Sequence, residues 1–265
     1  YLTPCMSAFV GGDVTSALLA TGFAQSDEIC LLMDIGTNGE IAVGNREFLF
    51  STSTAAGPAF EGAHISCGMA GVTGAINRVD ALQGKLKTTV IGGGAARGLC
   101  GSGLLDAIAL MCKIGAIDET GRIAEETGSR FIGKRDGEPV ILITDDIVIT
   151  QRDIRELQTA KAAMAAGVLS LLNEAGIQGK EIKRVYLAGG FGNYMDQRSA
   201  MEIGLLSRGF REIIGVGNAA GIGACMALLD QACIANMDHI CSIGKHVELG
   251  NNPYFMEKYV ESMYF

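Results

Sequence analysis

The segment Asp34–Glu40 joins one carboxylate to a turn that contains two glycines. Glycine has no Cβ, so its backbone N–H can approach a phosphate oxygen closely, and hydroxyl or amide side chains add further donors. The residues of this turn that could hold phosphate are Gly36, Thr37, Asn38 and Gly39. Asp34 could hold Mg²⁺, directly or through water. An ordinary β-hairpin, in which Asn-Gly only reverses the chain, fits the local sequence about equally well.

A second glycine-rich turn follows the apolar run that begins at Arg184. The residues of this turn are Gly189, Gly190, Phe191, Gly192 and Asn193. A strand that ends in such a turn, with a helix after it, lets a nucleoside lie against the backbone beside free helix N–H groups. Taken alone, the segment slightly favours a tight strand–helix turn without a ligand.

A third candidate is the start of an apolar helix predicted at 101–114. Gly101, Ser102 and Gly103 begin that helix, and Asp106 follows one turn later. The first turn of a helix has unpaired N–H groups and can bind an anion. The same residues could instead serve as a helix cap and as a site of close helix packing.

Strands and helices alternate along the chain, which predicts an α/β fold. Apolar runs at 29–35, 40–44 and 47–52 predict a three-stranded meander around the first turn, and further strands are predicted at 87–92 and within 139–149. Helices are predicted at 11–24, 150–175, 193–203, 217–235 and 253–265. Asp13 is the expected N-cap of the first helix, and Thr150 with Asp153 resembles a capping box.

Composition excludes several functional classes. The formal net charge is −8, without clustered Lys or Arg, which opposes nucleic-acid binding. No apolar run reaches the length of about 18 residues that a membrane span needs, and no signal peptide is visible, so we expect a cytoplasmic protein with no membrane partner. The eight cysteines include no C-x-x-C pair and are expected to be reduced, structural thiols.

Five segments together resemble the C-terminal domain of reductive activators of corrinoid proteins, within the actin, sugar-kinase and heat-shock-chaperone ATPase superfamily. The five segments are 32–41, 53–62, 100–106, 153–158 and 187–194. The tail is similar as well, at 247–249 and 255–265. The resemblance implies a ribonuclease-H-like or actin-like ATPase lobe with a mixed sheet and flanking helices. It also implies one C-terminal ATPase-type domain over 1–265, with a phosphate hairpin at 29–52, an insert at about 115–150 and an adenosine turn at 184–194.

The resemblance further implies ATP and Mg²⁺ as cofactors and a homodimer as the assembly. Family members carry a [2Fe–2S] cluster on an N-terminal domain, which this chain lacks, and reduce Co(II) to Co(I) on a corrinoid protein of a methyl-transfer pathway. The hairpin at Asp34 corresponds to the second of two phosphate motifs in such proteins. Two alternatives stay open: a small-molecule kinase of the same superfamily, and a non-catalytic domain for dimerisation or for docking of the corrinoid protein.

Overall fold

The computed structural model describes residues 2–82 and 84–265, without the side chain of Asn193. The strands within these residues are β1 (Cys30–Ile35), β2 (Gly39–Gly44), β3 (Leu49–Thr54), β4 (Ala75–Leu82), β5 (Lys85–Val90), β6 (Gly98–Leu99), β7 (Ile132–Arg135), β8 (Glu138–Leu142), β9 (Val148–Thr150), β10 (Arg184–Ala188), β11 (Glu212–Gly217) and β12 (Gly244–His246). The α-helices are α1 (Gly12–Ala20), α2 (Gly101–Lys113), α3 (Gln151–Ala175), α4 (Gly189–Tyr194), α5 (Gln197–Glu202), α6 (Ala219–Leu229), α7 (Gln231–Ile243) and α8 (Pro253–Glu261).

The chain divides into two compact units. The first unit consists of residues 1–55, 164–194 and 207–258, and the second of residues 56–163, 195–206 and 259–265. The segment predicted as an insert, at about 115–150, lies within the second unit.

The first unit is built on a mixed sheet of strand order β11-β10-β1-β2-β3-β12. Strands β1, β2 and β3 pair antiparallel, as the predicted meander requires, whereas β10 runs parallel to both β1 and β11. Strand β1 is almost entirely buried, which explains its continuous apolar sequence. The mixed sheet and the flanking helices confirm the predicted α/β class.

Helix α1 packs into an apolar core with residues of α6 and α7. The prediction that Asp13 caps this helix was wrong. Gly11 is the N-cap, with extended backbone and no side-chain hydrogen bond, and Asp13 lies in the first helical turn. The helix begins before Asp13 because Gly11 makes the turn, and the Asp13 carboxylate instead accepts a hydrogen bond from the N–H of Val14 at 2.9 Å.

The second unit contains two three-stranded sheets, of orders β5-β4-β6 and β7-β8-β9. Strand β4 was not predicted, because its exposed second half alternates too weakly to reveal the period of a strand.

In the first unit, the helix predicted at 217–235 is interrupted at Asp230. That residue has extended backbone, ends α6 and caps α7 by accepting a hydrogen bond from the N–H of Ala232 at 2.9 Å.

The predicted capping box at the start of α3 is confirmed. The Asp153 N–H donates to the Thr150 hydroxyl at 3.2 Å, and the Thr150 N–H donates to the Asp153 carboxylate at 2.8 Å. Asp153 is fully buried and also accepts hydrogen bonds from the N–H and the hydroxyl of Ser66.

Replacing Thr150 with alanine should lower the free energy of unfolding by about 1 kcal/mol, since it removes the hydroxyl that caps α3. Urea denaturation followed by circular dichroism measures the change. Thr150→Ser, which keeps the hydroxyl, is the matched control and should lose much less. Equal losses in the two variants would contradict the capping role.

Candidate functional site

The first two predicted turns meet in the first unit. Strands β1 and β10 are parallel neighbours, with Asp34 opposite Ala188, so their carboxyl ends lie at the same edge of the sheet. This edge is where ligands usually bind in open α/β sheets. Gly189 has a positive φ of 84°, and a Cβ placed there would lie 2.8 Å from the Asp34 carboxylate and from the Ile35 carbonyl oxygen. Only glycine fits this position without displacing Asp34.

The hairpin between β1 and β2 exposes its tip. Thr37 and Asn38 are exposed, whereas Gly39 is buried. The Gly36 N–H already donates to the Asn38 carbonyl oxygen at 3.1 Å, within the turn itself. A methyl group at Gly39 would overlap the sulfur of Met164 on α3, so packing is sufficient to explain this glycine. Thr37 and Asn38 are therefore the side chains of the hairpin that are best placed to meet a ligand.

Two partly buried carboxylates of the first unit, Asp34 and Glu40, lie within the electrostatic influence of a third, Asp13. Burial raises the pKa of Asp34, and the neighbouring Asp13 charge raises it further. Burial also raises the pKa of Glu40, with further contributions from Asp13 and Asp34, while the Ser53 hydroxyl, which donates at 3.1 Å, acts in the opposite direction. A divalent cation would relieve this repulsion, and carboxylate oxygens suit Mg²⁺ directly or through water. Asp34 and Glu40, which lie opposite each other in the β1–β2 register, could therefore contact Mg²⁺ or its water shell.

Asp13 and Glu40 were not among the predicted site residues. Asp13 was interpreted only as a helix cap, and Glu40 only as the end of the turn. A signal for Glu40 was present, because it follows Asp34 across a tight hairpin and pairs with it in the β1–β2 register. No local signal connects Asp13 to the hairpin, since that proximity depends on the packing of α1.

The second turn, Gly189–Asn193, contains both exposed and buried positions. Gly190 is exposed, and an added Cβ there would meet no atom within 4 Å. Phe191 and Gly192 are buried. The side chain of Asn193 lies outside the described residues. Gly190 is thus the position at which a ligand can approach the backbone of α4 most closely.

The third predicted segment lies in the second unit, where packing accounts for its residues. A methyl group at Gly101 would overlap the carbonyl oxygen of Phe60, and one at Gly103 would overlap that of Ile76. The buried Ser102 hydroxyl donates to the Asn77 carbonyl oxygen at 3.0 Å. These contacts hold α2 close to β4 and to the backbone at Phe60, and a ligand contact of the same residues stays a prediction.

Among the described residues, no group of three or more His, Cys, Asp or Glu side chains is arranged to hold a metal ion. All eight cysteines are free thiols; Cys30, Cys100 and Cys233 are buried, whereas Cys5 and Cys225 are exposed. Of the helices in the described residues, none combines the length and apolar character needed to cross a membrane.

Comparison with known families gives one match that spans most of the chain. Residues 28–265 match the family described as the C-terminal domain of RACo, the ASKHA domain. The chain is 39% identical over 279 residues to the corrinoid activation enzyme RamQ of Eubacterium limosum, which covers 99% of this chain and 46% of RamQ. It therefore spans slightly less than half the length of this relative.

Two further similarities agree with that match. The chain is 27% identical over 268 residues to the [Co(II) methylated amine-specific corrinoid protein] reductase of Methanosarcina barkeri, covering 92% of this chain and 46% of the reductase. A solved structure of a reductive activator for corrinoid,iron-sulfur protein superposes with a TM-score of 0.92 at 38% identity, over 100% of this chain and 44% of that one. The sheet topology, the extent of the family match and this superposition agree, and the chain therefore belongs to the family of RACo C-terminal domains and has their actin-like ASKHA fold.

Proposed function

We propose that this chain is the nucleotide-binding C-terminal part of a protein that uses ATP to reactivate a corrinoid protein, by reduction of its cobalt from Co(II) to Co(I). The names of RamQ and of the Methanosarcina barkeri reductase support this class of reaction. The observation that carries the nucleotide site is the close approach of Asp34 to Gly189, where the two predicted turns meet.

Each part of the site has a separate task in this proposal. Asp34 positions Mg²⁺, through water or directly, and Glu40 and Asp13 add to the negative potential around it. The hairpin residues Gly36–Gly39 hold phosphate, chiefly through the exposed Thr37 and Asn38. The turn at Gly189–Asn193 lies along the adenosine, and the open backbone at Gly190 allows the closest approach.

The single electron that converts Co(II) to Co(I) would come from a [2Fe–2S] cluster on an N-terminal domain outside this chain. That transfer is uphill, and ATP can promote it only by binding two conformations of the protein with different affinities. The residues at the β1 and β10 ends would therefore act as a conformational switch. In this proposal the partner is a corrinoid protein of a methyl-transfer pathway. The assembly is a homodimer, and the location is cytoplasmic.

Replacing Asp34 with asparagine should weaken binding of Mg²⁺-ATP to the full-length protein at least tenfold, because the neutral amide is a poor ligand for Mg²⁺ or its water shell. Isothermal titration calorimetry measures the affinity, with ATP in excess EDTA as the metal-free comparison, where we expect little difference. Asp238→Asn, an exposed carboxylate of the same unit, is the control. Equal affinities of wild type and Asp34→Asn for Mg²⁺-ATP would refute the role of Asp34.

A non-catalytic dimerisation or docking domain is the second candidate, and one observation favours it. Helix α6 is apolar on all sides, yet its side chains Ile222, Leu228 and Leu229 are 53%, 83% and 88% exposed. Exposed apolar side chains that lie together often mark an interaction surface. This candidate predicts that the chain captures a corrinoid protein equally well with and without ATP, and that Leu228→Ser abolishes the capture. Such a result would favour a docking domain over an ATP-driven switch.

A further inference from the structure

The second unit contains a cavity of about 480 Å³, which lies within the range of small-molecule sites. Strands β4 and β5 and helices α2 and α5 contribute its walls. Four acidic and four basic side chains line it, together with an apolar wall from Val79, Ala109 and Leu110. The lining is therefore close to neutral overall but strongly polar.

Asp106 is a buried carboxylate in this lining. It is only 4% exposed, and its Oδ1 atom has no hydrogen-bond partner among the described residues. The other oxygen, Oδ2, accepts a hydrogen bond from the Val79 N–H at 3.4 Å and lies 3.6 Å from the Arg78 guanidinium. The Ser199 hydroxyl also stabilises the ionised carboxylate, but among the described residues no donor lies within hydrogen-bond distance of Oδ1. A buried acceptor without a donor is unfavourable in a folded protein, so Oδ1 is the atom at which a ligand's donor group would be stabilising.

The charges around Asp106 indicate what kind of donor would suit this carboxylate. Arg78 lies between two carboxylates, since it also forms an ion pair with Asp196 at 3.0 Å. Two negative charges thus share one positive charge, which leaves one unit of negative charge uncompensated. An ammonium group provides both the N–H donor and the compensating charge, whereas a neutral hydroxyl provides only the donor.

Other parts of the lining suit an anionic group. Lys87, Lys113 and Arg198 are exposed and line the same cavity. In the part of the chain that the structure describes, none of the three forms an ion pair, although Asp80 lies opposite Lys87 in the β4–β5 register and Glu202 follows Arg198 by one turn of α5. Their ammonium and guanidinium groups can therefore pair with a carboxylate or phosphate of a ligand.

We propose that this cavity binds a small zwitterion, with the ligand's primary ammonium group at Asp106 and its anionic group at Lys87, Lys113 and Arg198. The apolar wall then packs against the carbon chain between the two ends. This site goes beyond the proposed nucleotide site, because it rests only on residues of the second unit and needs neither ATP nor Mg²⁺. A ligand of this kind would be a free amino acid or a related ω-amino acid.

Titration calorimetry of the full-length protein with glycine, 4-aminobutyrate and 6-aminohexanoate tests the proposal, since the three differ in the spacing of their charged ends. We expect at least one to bind, and to bind at least tenfold more tightly than both butyrate, which lacks the ammonium group, and butylamine, which lacks the carboxylate. Asp106→Asn should weaken this binding at least tenfold. Glu138→Gln makes the same charge change at an exposed position of the second unit, outside the lining, and should leave it unchanged.

A second variant tests the anionic end without touching the buried carboxylate. Arg198→Gln should weaken binding of the zwitterion at least threefold and leave any weak binding of butylamine unchanged. Absence of binding by all three amino acids at 10 mM would overturn the proposal, as would binding that survives Asp106→Asn. Binding of ADP without Mg²⁺ that depends on Asp106, with no amino acid bound, would assign the cavity to a nucleotide instead. Loss of Mg²⁺-ATP binding in Asp34→Asn is a separate result and leaves this proposal standing.

Discussion

Replacing Asp106 with asparagine is expected to raise the free energy of unfolding at pH 7.5 by about 2 kcal/mol. Burial raises the pKa of Asp106 from 3.8 to about 6, against the opposing effects of the Ser199 hydroxyl and the Arg78 guanidinium. One pKa unit corresponds to about 1.4 kcal/mol, so the ionised carboxylate destabilises the fold by up to about 3 kcal/mol. We expect less than this in the variant, because the asparagine amide N–H groups need hydrogen-bond acceptors that the carboxylate did not need.

The pH dependence of this effect has a definite sign. Between about pH 4 and pH 6 the unfolded chain has released the Asp106 proton while the folded protein still holds it, so stability falls as the pH rises. Above the folded pKa of about 6 the destabilisation is complete and constant. The stability difference between Asp106→Asn and wild type should therefore grow from pH 4 to pH 6 and then level off.

Urea denaturation from pH 4 to pH 8 measures this difference. Glu138→Gln is the matched control, because Glu138 is exposed, and it should stay within about 0.5 kcal/mol of wild type throughout. A difference for Asp106→Asn that does not change with pH would contradict the argument. A carboxylate that destabilises the fold yet lines a cavity is consistent with a binding role, since function commonly lowers stability at such sites.

Replacing Gly101 with alanine is expected to lower the free energy of unfolding by about 3 kcal/mol, at the upper end of the range for overpacked positions. The added methyl group would overlap the Phe60 carbonyl oxygen, which belongs to the backbone and cannot rotate away as a side chain can. Helix α2 would have to shift as a whole. Chemical denaturation of the variant measures the loss.

Gly71→Ala is the control for this prediction. Gly71 belongs to the same unit, and an added Cβ there would meet no atom within 4 Å, so stability should change by no more than about 0.5 kcal/mol. If Gly101→Ala were as stable as Gly71→Ala, close packing would not explain Gly101. The interpretation of Gly101–Gly103 as an anion pocket would then become the stronger one.

Local sequence patterns were sufficient for much of the first unit. The continuous apolar run of β1, the Asn-Gly reversal after it and the two following strands all lie where they were predicted. The capping box at Thr150 was also identified correctly, because its residues are three positions apart and its hydrogen bonds are local. Patterns of this kind need no knowledge of distant contacts.

Boundaries and weak strands were predicted less well. Strand β11 at Glu212–Gly217 was missed, since its glycines and half-exposed positions remove the periodicity that identifies a strand. The predicted N-cap of α1 was wrong because Gly11 and Asp13 both have residue types that can begin a helix. Which of them does so depends on how the preceding backbone packs.

The sequence by itself determined the α/β class, the hairpin at Asp34–Glu40 and the glycine turn after β10, because each depends on residue types within a few positions of one another. Only the tertiary structure decided that Asp34 and Gly189 lie close together, since parallel pairing of β1 with β10 joins segments about 150 residues apart. The structure also distinguished the glycines that close packing requires from Gly190, where an added Cβ would meet no atom within 4 Å. It also assembled the Asp106 cavity, whose charges come from strands and helices that no local pattern connects.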